Sequence, residues 1–208
     1  MFFMNKKELE IVLSSLENFF RRDVKLEQYP TPSDIAGEVL WDSNVVDKKV
    51  ADLGCGNGIF GIGALILGAK NVIFLDIDEE ALKVTKRNVK FIEKKFNKKF
   101  NVKFVNSDVV DFDQKVDVIF QNPPFGTKNE HADRVFLEVA VEHCDIVYTF
   151  HKSSTRRFVE AFFRENSFEM IKEFRFKFPI KRAFGFHRSV CRDIEVSCFR
   201  AERFKKEE

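Results

Sequence analysis

The segment "ADLGCGNGIFG", residues 51–61, decides the fold. A short apolar run, "KKVADLG", leads into it and an apolar stretch, "IFGIGALILGA", leads away, so its glycines stand where a strand turns into a helix. Glycine at 54, 56 and 58 permits positive φ and lets backbone N–H groups approach a ligand directly. The helix that follows adds a positive dipole end. The segment therefore predicts a small polar ligand at the end of the first strand.

Outward from this turn the chain alternates. "NVIFLDID", "NVKFVNSD", "VDVIF" and "DIVYTF" read as strands, separated by helical patterns in "EEALKVTKRNVKFIEKKF" and "ADRVFLEVAVEHC" and followed by one in "SSTRRFVEAFFREN". This order predicts an α/β fold with a mainly parallel sheet and helices on both faces. "MIKEFRFKF" and "CRDIEVSCF" read as two long final strands pairing antiparallel at an edge. Ahead of the core, Asn5 to Arg22 has helical apolar spacing, "LEQYPTPSD" interrupts it, and "DIAGEVLWDS" resumes as a second helix opened by Ser33 or Asp34.

A length of 208 residues suits one domain with a sizeable core. No transmembrane stretch or signal peptide is expected, which predicts a cytoplasmic protein. Cys55, Cys144, Cys191 and Cys198 form no C-x-x-C pair, so no structural metal and no disulfide framework is expected. The net charge of +2 leaves local basic patches as the informative feature. Phe numbers 26 against two Tyr and one Trp, and the strand spacing of these rings predicts that most are core.

Two cofactor classes fit the glycine turn. Gly56, Gly58 and Gly61 satisfy the dinucleotide pattern G-x-G-x-x-G, with Asp76 ending the second strand where an acid holds ribose hydroxyls. Asp52 followed by glycines at 54, 56 and 58 looks more like the D-x-G-x-G-x-G loop of S-adenosylmethionine-dependent methyltransferases. That resemblance turns the loop toward the methionine end, gives the ribose to Asp76, and makes Asp108 and Val109, at the end of the third strand, candidates for the adenine ring.

"QNPPFGTKNE", residues 121–130, leaves the fourth strand through two prolines that can continue neither strand nor helix. Asn122, Pro123, Pro124 and Phe125 match the N-P-P-F signature of methyltransferases acting on exocyclic or amide nitrogens. An adenine amine is a poor nucleophile because its lone pair is delocalised into the ring. Two acceptors, the Asn122 side-chain oxygen and the Pro123 carbonyl, could hold its N–H bonds out of plane and localise that pair. Pro124 stiffens the loop, and Phe125 would stack on a base extruded from its helix.

Together "LEQYPTP", "DLGCGNG", "LDIDEEAL", "NPPFGTKN", "HKSSTR" and "DIEV" make the chain resemble the methyltransferase-like protein 5 family, the small-subunit rRNA adenine N6-methyltransferases. The resemblance implies a Rossmann-like class I methyltransferase domain over residues 1–208 with a seven-stranded sheet. Residues 1–45 would be N-terminal helices covering the cofactor site, and residues 46–208 the catalytic core. It assigns Gln28, Thr31, Gly54, Asn57 and Ile59 to S-adenosylmethionine and implies a Trm112-type zinc-containing adaptor, with "NVIFL" as one possible docking surface.

Basic groups interleaved with rings suit unpaired RNA. "KFPIKRAFGFHRS" supplies Lys181, Arg182, Phe184, Phe186 and Arg188, and "HKSSTRR" supplies His151, Lys152 and Arg156, as RNA-contact candidates. Alternatives remain open at this stage: a protein glutamine N5-methyltransferase with the related N-P-P-Y motif, a DNA adenine methyltransferase, a dinucleotide-dependent oxidoreductase, or a non-catalytic S-adenosylmethionine or RNA-binding module.

Overall fold

Residues 4–18, 30–124, 132–181 and 191–204 are described by a computed structural model. Helices α1 (Lys6–Ser14) and α2 (Ser33–Asp42) precede an alternating core. That core comprises β1 (Lys49–Leu53), α3 (Ile59–Leu67), β2 (Asn71–Asp76), α4 (Glu79–Phe96), β3 (Val102–Asn106), β4 (Val118–Gln121), α5 (Ala132–His143), β5 (Ile146–Lys152) and α6 (Arg156–Glu165), closed by β6 (Phe168–Lys181) and β7 (Cys191–Arg203). The seven strands form one sheet in the order β3-β2-β1-β4-β5-β7-β6. The first five pair in parallel, and β7 runs antiparallel to both β5 and β6, as the alternation and the two long final strands predict.

Both faces of the sheet are covered because successive strand residues point to opposite sides and both sides are apolar. Val50, Phe74, Phe120, Tyr148 and Phe150 pack with α1, α2, α3 and α4 on one face. Leu53, Ile73, Ile119, Val147 and Phe199 pack with α5 and α6 on the other. The phenylalanine excess is largely core: Phe60 stacks on Phe120 at 5.6 Å and Phe120 on Tyr148 at 4.9 Å, while Phe60 also meets Phe150 at 5.3 Å. β2, with "NVIFL", lies between β1 and β3, so that segment is interior and offers no docking surface. Among the described residues, no helix is long and apolar enough to cross a membrane.

Helix α1 is shorter than its apolar spacing predicts. A capping box closes its start, with Asn5 accepting from the Glu8 amide and Glu8 from the Asn5 amide. At its end the Ser14 and Ser15 hydroxyls both donate back to the Ile11 carbonyl, a local alternative to continued helix. Beyond them the Glu17 backbone is captured by Asn88 of α4, an interaction between distant parts of the chain that periodicity does not register.

In α3 every residue from Ile59 to Ile66 is buried. A Cβ at Gly61 would lie 2.2 Å from the Phe74 ring, so this glycine serves close helix–sheet packing.

Candidate active site

Strand order reverses between β1 and β4: the chain continues to β2 and β3 on one side and to β5 on the other. In such sheets the ligand crevice lies outside the carboxyl ends of the strands at that reversal. Leu53 pairs with both Leu75 and Gln121, which brings Gly54, Asp76 and Asn122 to one level at the crevice. Asp76 in turn pairs with Asn106, two residues before Asp108.

The glycine turn follows from this placement. Gly54, Gly56 and Gly58 have φ of 65°, 58° and 81°, a left-handed region that strains any side chain. Two carboxylates brace the turn from within. The Gly61 amide donates to Asp52 at 2.8 Å, the Gly56 amide to Asp76 at 2.8 Å, and the Asp78 amide to the other Asp76 oxygen at 2.9 Å. Burial raises both acids: Asp52, 2% exposed, is pushed up to about 8, with the Gly61 hydrogen bond opposing the rise and the Asp76 charge adding to it. Asp76 is also raised, again chiefly by desolvation.

This arrangement discriminates between ligands. In a dinucleotide site, the amides at the start of the helix receive a pyrophosphate. Here Asp52 already occupies the Gly61 amide, and a second buried acid stands beside it. The site therefore fits a cationic ligand bearing hydroxyls, which S-adenosylmethionine is, better than a polyanion.

A latch that the sequence reading missed joins the N-terminal arm to the turn. The Asn57 side chain donates to Asn18 Oδ1 at 2.9 Å. Asn88, 2% exposed, accepts from the Glu17 amide and donates to the Glu17 and Asn57 carbonyls. The available signal was an amide side chain on the buried stripe of α4, between Thr85 and Val89. Asn88→Ala leaves these groups unpaired, and a loss of about 2–3 kcal/mol in unfolding free energy is expected from urea denaturation. Arg87→Ala, which removes only an exposed ion pair with the same Glu17, should cost much less.

Asn122 leaves β4 with its Nδ2 donating to Thr31 Oγ1 at 3.0 Å, while its Oδ1 is buried without a partner. Pro123 beside it is buried. Asp108 caps a 3-10 turn by accepting from the Val110 amide, and Val109 is buried next to it. Ile77 and Val110, apolar yet more than half exposed, follow Asp76 at the end of β2 and Val109 in the 3-10 turn after β3, and reading for polar motifs passed over both. Ile59 opens α3 directly behind Gly58.

On the α5 face a buried polar chain runs behind Asn122. Gln121 donates to Thr149 at 3.1 Å, Thr149 meets His151 Nε2 at 2.9 Å, and His151 Nδ1 lies 3.4 Å from Asp133 at the start of α5. The His151 hydrogen bond holds the Asp133 carboxyl below its ordinary range. This corrects the expectation that His151 meets RNA, because the side chain is 1% exposed with both ring nitrogens engaged inside the fold. Arg156 is partly exposed, but it pairs with Glu160 and Glu173, so its charge is largely matched within the protein. Lys152 is half-buried at the end of β5. Gln28, Phe125, Arg182, Phe184, Phe186 and Arg188 lie outside the described residues, as does the side chain of Lys181.

Known proteins share both the frame and the length. Residues 38–123 match the ribosomal protein L11 methyltransferase (PrmA) family. A solved Pyrococcus horikoshii structure, described provisionally as an RNA methyltransferase, superposes with a TM-score of 0.85 at 40% identity, covering 97% of this chain and 99% of that one. An uncharacterised Methanocaldococcus jannaschii protein is 35% identical over 96% of this chain and 95% of its own length. The zebrafish rRNA N(6)-adenosine-methyltransferase METTL5 is 36% identical over 95% of this chain and 98% of its own length. With its crevice, its glycine turn and a likeness running the length of both chains, this protein belongs to the METTL5 family of class I methyltransferases.

Proposed function

We propose that the protein transfers a methyl group from S-adenosylmethionine to N6 of an adenosine in small-subunit rRNA. The observation that carries this reading is the Asn122 oxygen: a buried acceptor with no donor, at the mouth of the crevice, next to a proline carbonyl of fixed direction. An unpartnered buried acceptor is costly, and an incoming N–H relieves that cost. Asn122 Oδ1 and the Pro123 carbonyl accept the two hydrogens of the adenine amine and draw its lone pair out of conjugation. Phe125 stacks on the base, and Pro124 keeps the loop from adjusting. When bound, S-adenosylmethionine supplies an electrophilic methyl on a sulfonium.

Around that centre, Gly54, Asn57 and Ile59 hold the methionine end, Asp76 the ribose, and Asp108 and Val109 the adenine. Gln28 and Thr31, between the two N-terminal helices in sequence, complete the cofactor contacts, and those helices share a core with α3 and the sheet. Asp52 acts from beneath, through the loop it braces. The likeness to the L11 methyltransferase family stops at Pro123 and covers the cofactor half of the sheet, so it carries no preference for a protein substrate.

The RNA is assigned to Lys152 and to the segment with Lys181, Arg182, Phe184, Phe186 and Arg188, with substrate and enzyme meeting in the cytoplasm. A Trm112-type adaptor is assigned to β3, an outermost strand of the sheet, which carries half-buried Val102 and Phe104 and is preceded by half-buried Phe100.

The test is incubation of the protein, with and without such an adaptor, with unmodified rRNA and labelled S-adenosylmethionine, followed by nucleoside analysis. Label is expected in N6-methyladenosine. Label in protein glutamine, or in no substrate under either condition, overturns the proposal.

A further inference from the structure

Asn122 can serve as an acceptor only in one of two orientations. A carboxamide is nearly symmetric in shape, so its neighbours, not its packing, decide which end faces the substrate. With Nδ2 on Thr31 Oγ1 the oxygen faces the incoming amine. Rotated by half a turn, the amide would present N–H groups to N–H groups.

Thr31 is 8% exposed and is held by the segment entering α2, where the Ala36 amide donates to the Pro32 carbonyl. Its hydroxyl has one proton and can either give it to an amide oxygen or accept from an amide nitrogen. Accepting from Nδ2 leaves that proton for another partner, and among the described residues no acceptor takes it. A carboxylate accepts and never donates, so a carboxylate beside Thr31 would fix the hydroxyl in its accepting mode.

We infer that Thr31 is the positioning residue for Asn122, and that a carboxylate of the bound methyl donor, by accepting a hydrogen bond from the Thr31 hydroxyl, would lock the Asn122 oxygen in the orientation toward the substrate that it already has here. This rests on the methyltransferase reading of the site. It adds a coupling: an occupied cofactor site sets the amide, so the methyl donor and the amine acceptor bind in that order of advantage.

Thr31→Val keeps the shape and removes the hydroxyl, and Thr31→Ser restores it. At saturating S-adenosylmethionine, Thr31→Val is expected to lower kcat by about tenfold or more, on the scale of one lost oriented hydrogen bond to a catalytic group. Thr31→Ser is expected to stay within about threefold of wild type. Equal melting temperatures for the two variants exclude a folding defect. An unchanged kcat in Thr31→Val, with only a higher KM for the methyl donor, would make Thr31 a simple binding contact and overturn the inference.

A readout independent of turnover uses protein labelled with 15N-asparagine, the Asn122 side-chain signal being identified by its loss in Asn122→Ala. Saturating S-adenosylhomocysteine, which carries the carboxylate, should slow exchange of that amide, and saturating methylthioadenosine, which lacks it, should not. Equal protection by both ligands would refute the coupling even if the enzyme methylates adenosine as proposed. Conversely, wild-type protein that shows the selective protection but labels no adenosine would refute the proposed substrate and leave the coupling standing.

Discussion

Asn122→Ala is expected to lower kcat for methyl transfer by about 10²–10³-fold while changing cofactor affinity by less than about threefold. The size follows from what the side chain does. In the proposed role it supplies one of two preorganised acceptors at the point where charge develops on nitrogen, and removing a single such group elsewhere costs a comparable factor. Cofactor affinity should survive, because the described contacts of the glycine turn run to Asp52, Asp76, Asn88 and Thr85, not to Asn122. Single-turnover kinetics with saturating cofactor, alongside calorimetric titration of S-adenosylhomocysteine, separates the two quantities. Undiminished turnover would show that the amide does not orient the amine, and a parallel collapse of cofactor affinity would place Asn122 in the binding site of the donor.

The second large effect concerns pH. Burial pushes Asp52 up to about 8, whereas an aspartate in an unfolded chain titrates at about 4. The folded, ligand-free protein therefore holds a proton between those values that the unfolded chain has lost. The stability contributed by that proton is fully present below about 4 and disappears as pH rises through about 8. A ligand carrying a sulfonium and an ammonium group favours the ionised carboxylate, so its binding expels the proton.

Affinity for S-adenosylmethionine should therefore rise by up to about tenfold per pH unit well below pH 8, with the slope falling off as pH nears 8 and vanishing above it. Titration calorimetry in two buffers of different ionisation enthalpy should count close to one proton released per ligand at pH 6.5. Asp52→Asn keeps an acceptor for the Gly61 amide and should flatten the profile. A wild-type profile already flat between pH 6 and 8, with no proton release, would show that Asp52 does not sense the ligand.

These two predictions differ in how they could be reached. The role proposed for Asn122 was legible in four consecutive residues, because prolines at 123 and 124 fix a backbone direction whatever surrounds them. The sheet was legible too, since apolar runs of strand length alternating with amphipathic helices leave few topologies. The titration of Asp52 was not, because it depends on burial and on a second acid that is 24 residues away in sequence. Nor was His151: in "HKSSTR" it reads as one of a basic cluster, yet strand alternation turns it to the α5 face, where Asp133 and Thr149 engage it. The ion pair of Arg156 was equally illegible, its partner Glu173 lying on β6.

By itself the sequence determined the doubly wound sheet, the left-handed glycine turn, the position of the N-P-P-F motif beside it and the family, since these rest on local backbone chemistry and on the order of the elements. Only the tertiary structure decided which polar side chains serve the site and which serve the fold. Asn18, Asn57 and Asn88 become one latch, Thr31 comes to hold Asn122 across 91 residues, and His151 withdraws into the core. The physical reason is that a hydrogen bond between buried groups is short in space and unconstrained in sequence separation, so its partners are set by strand register and helix packing, not by any local pattern.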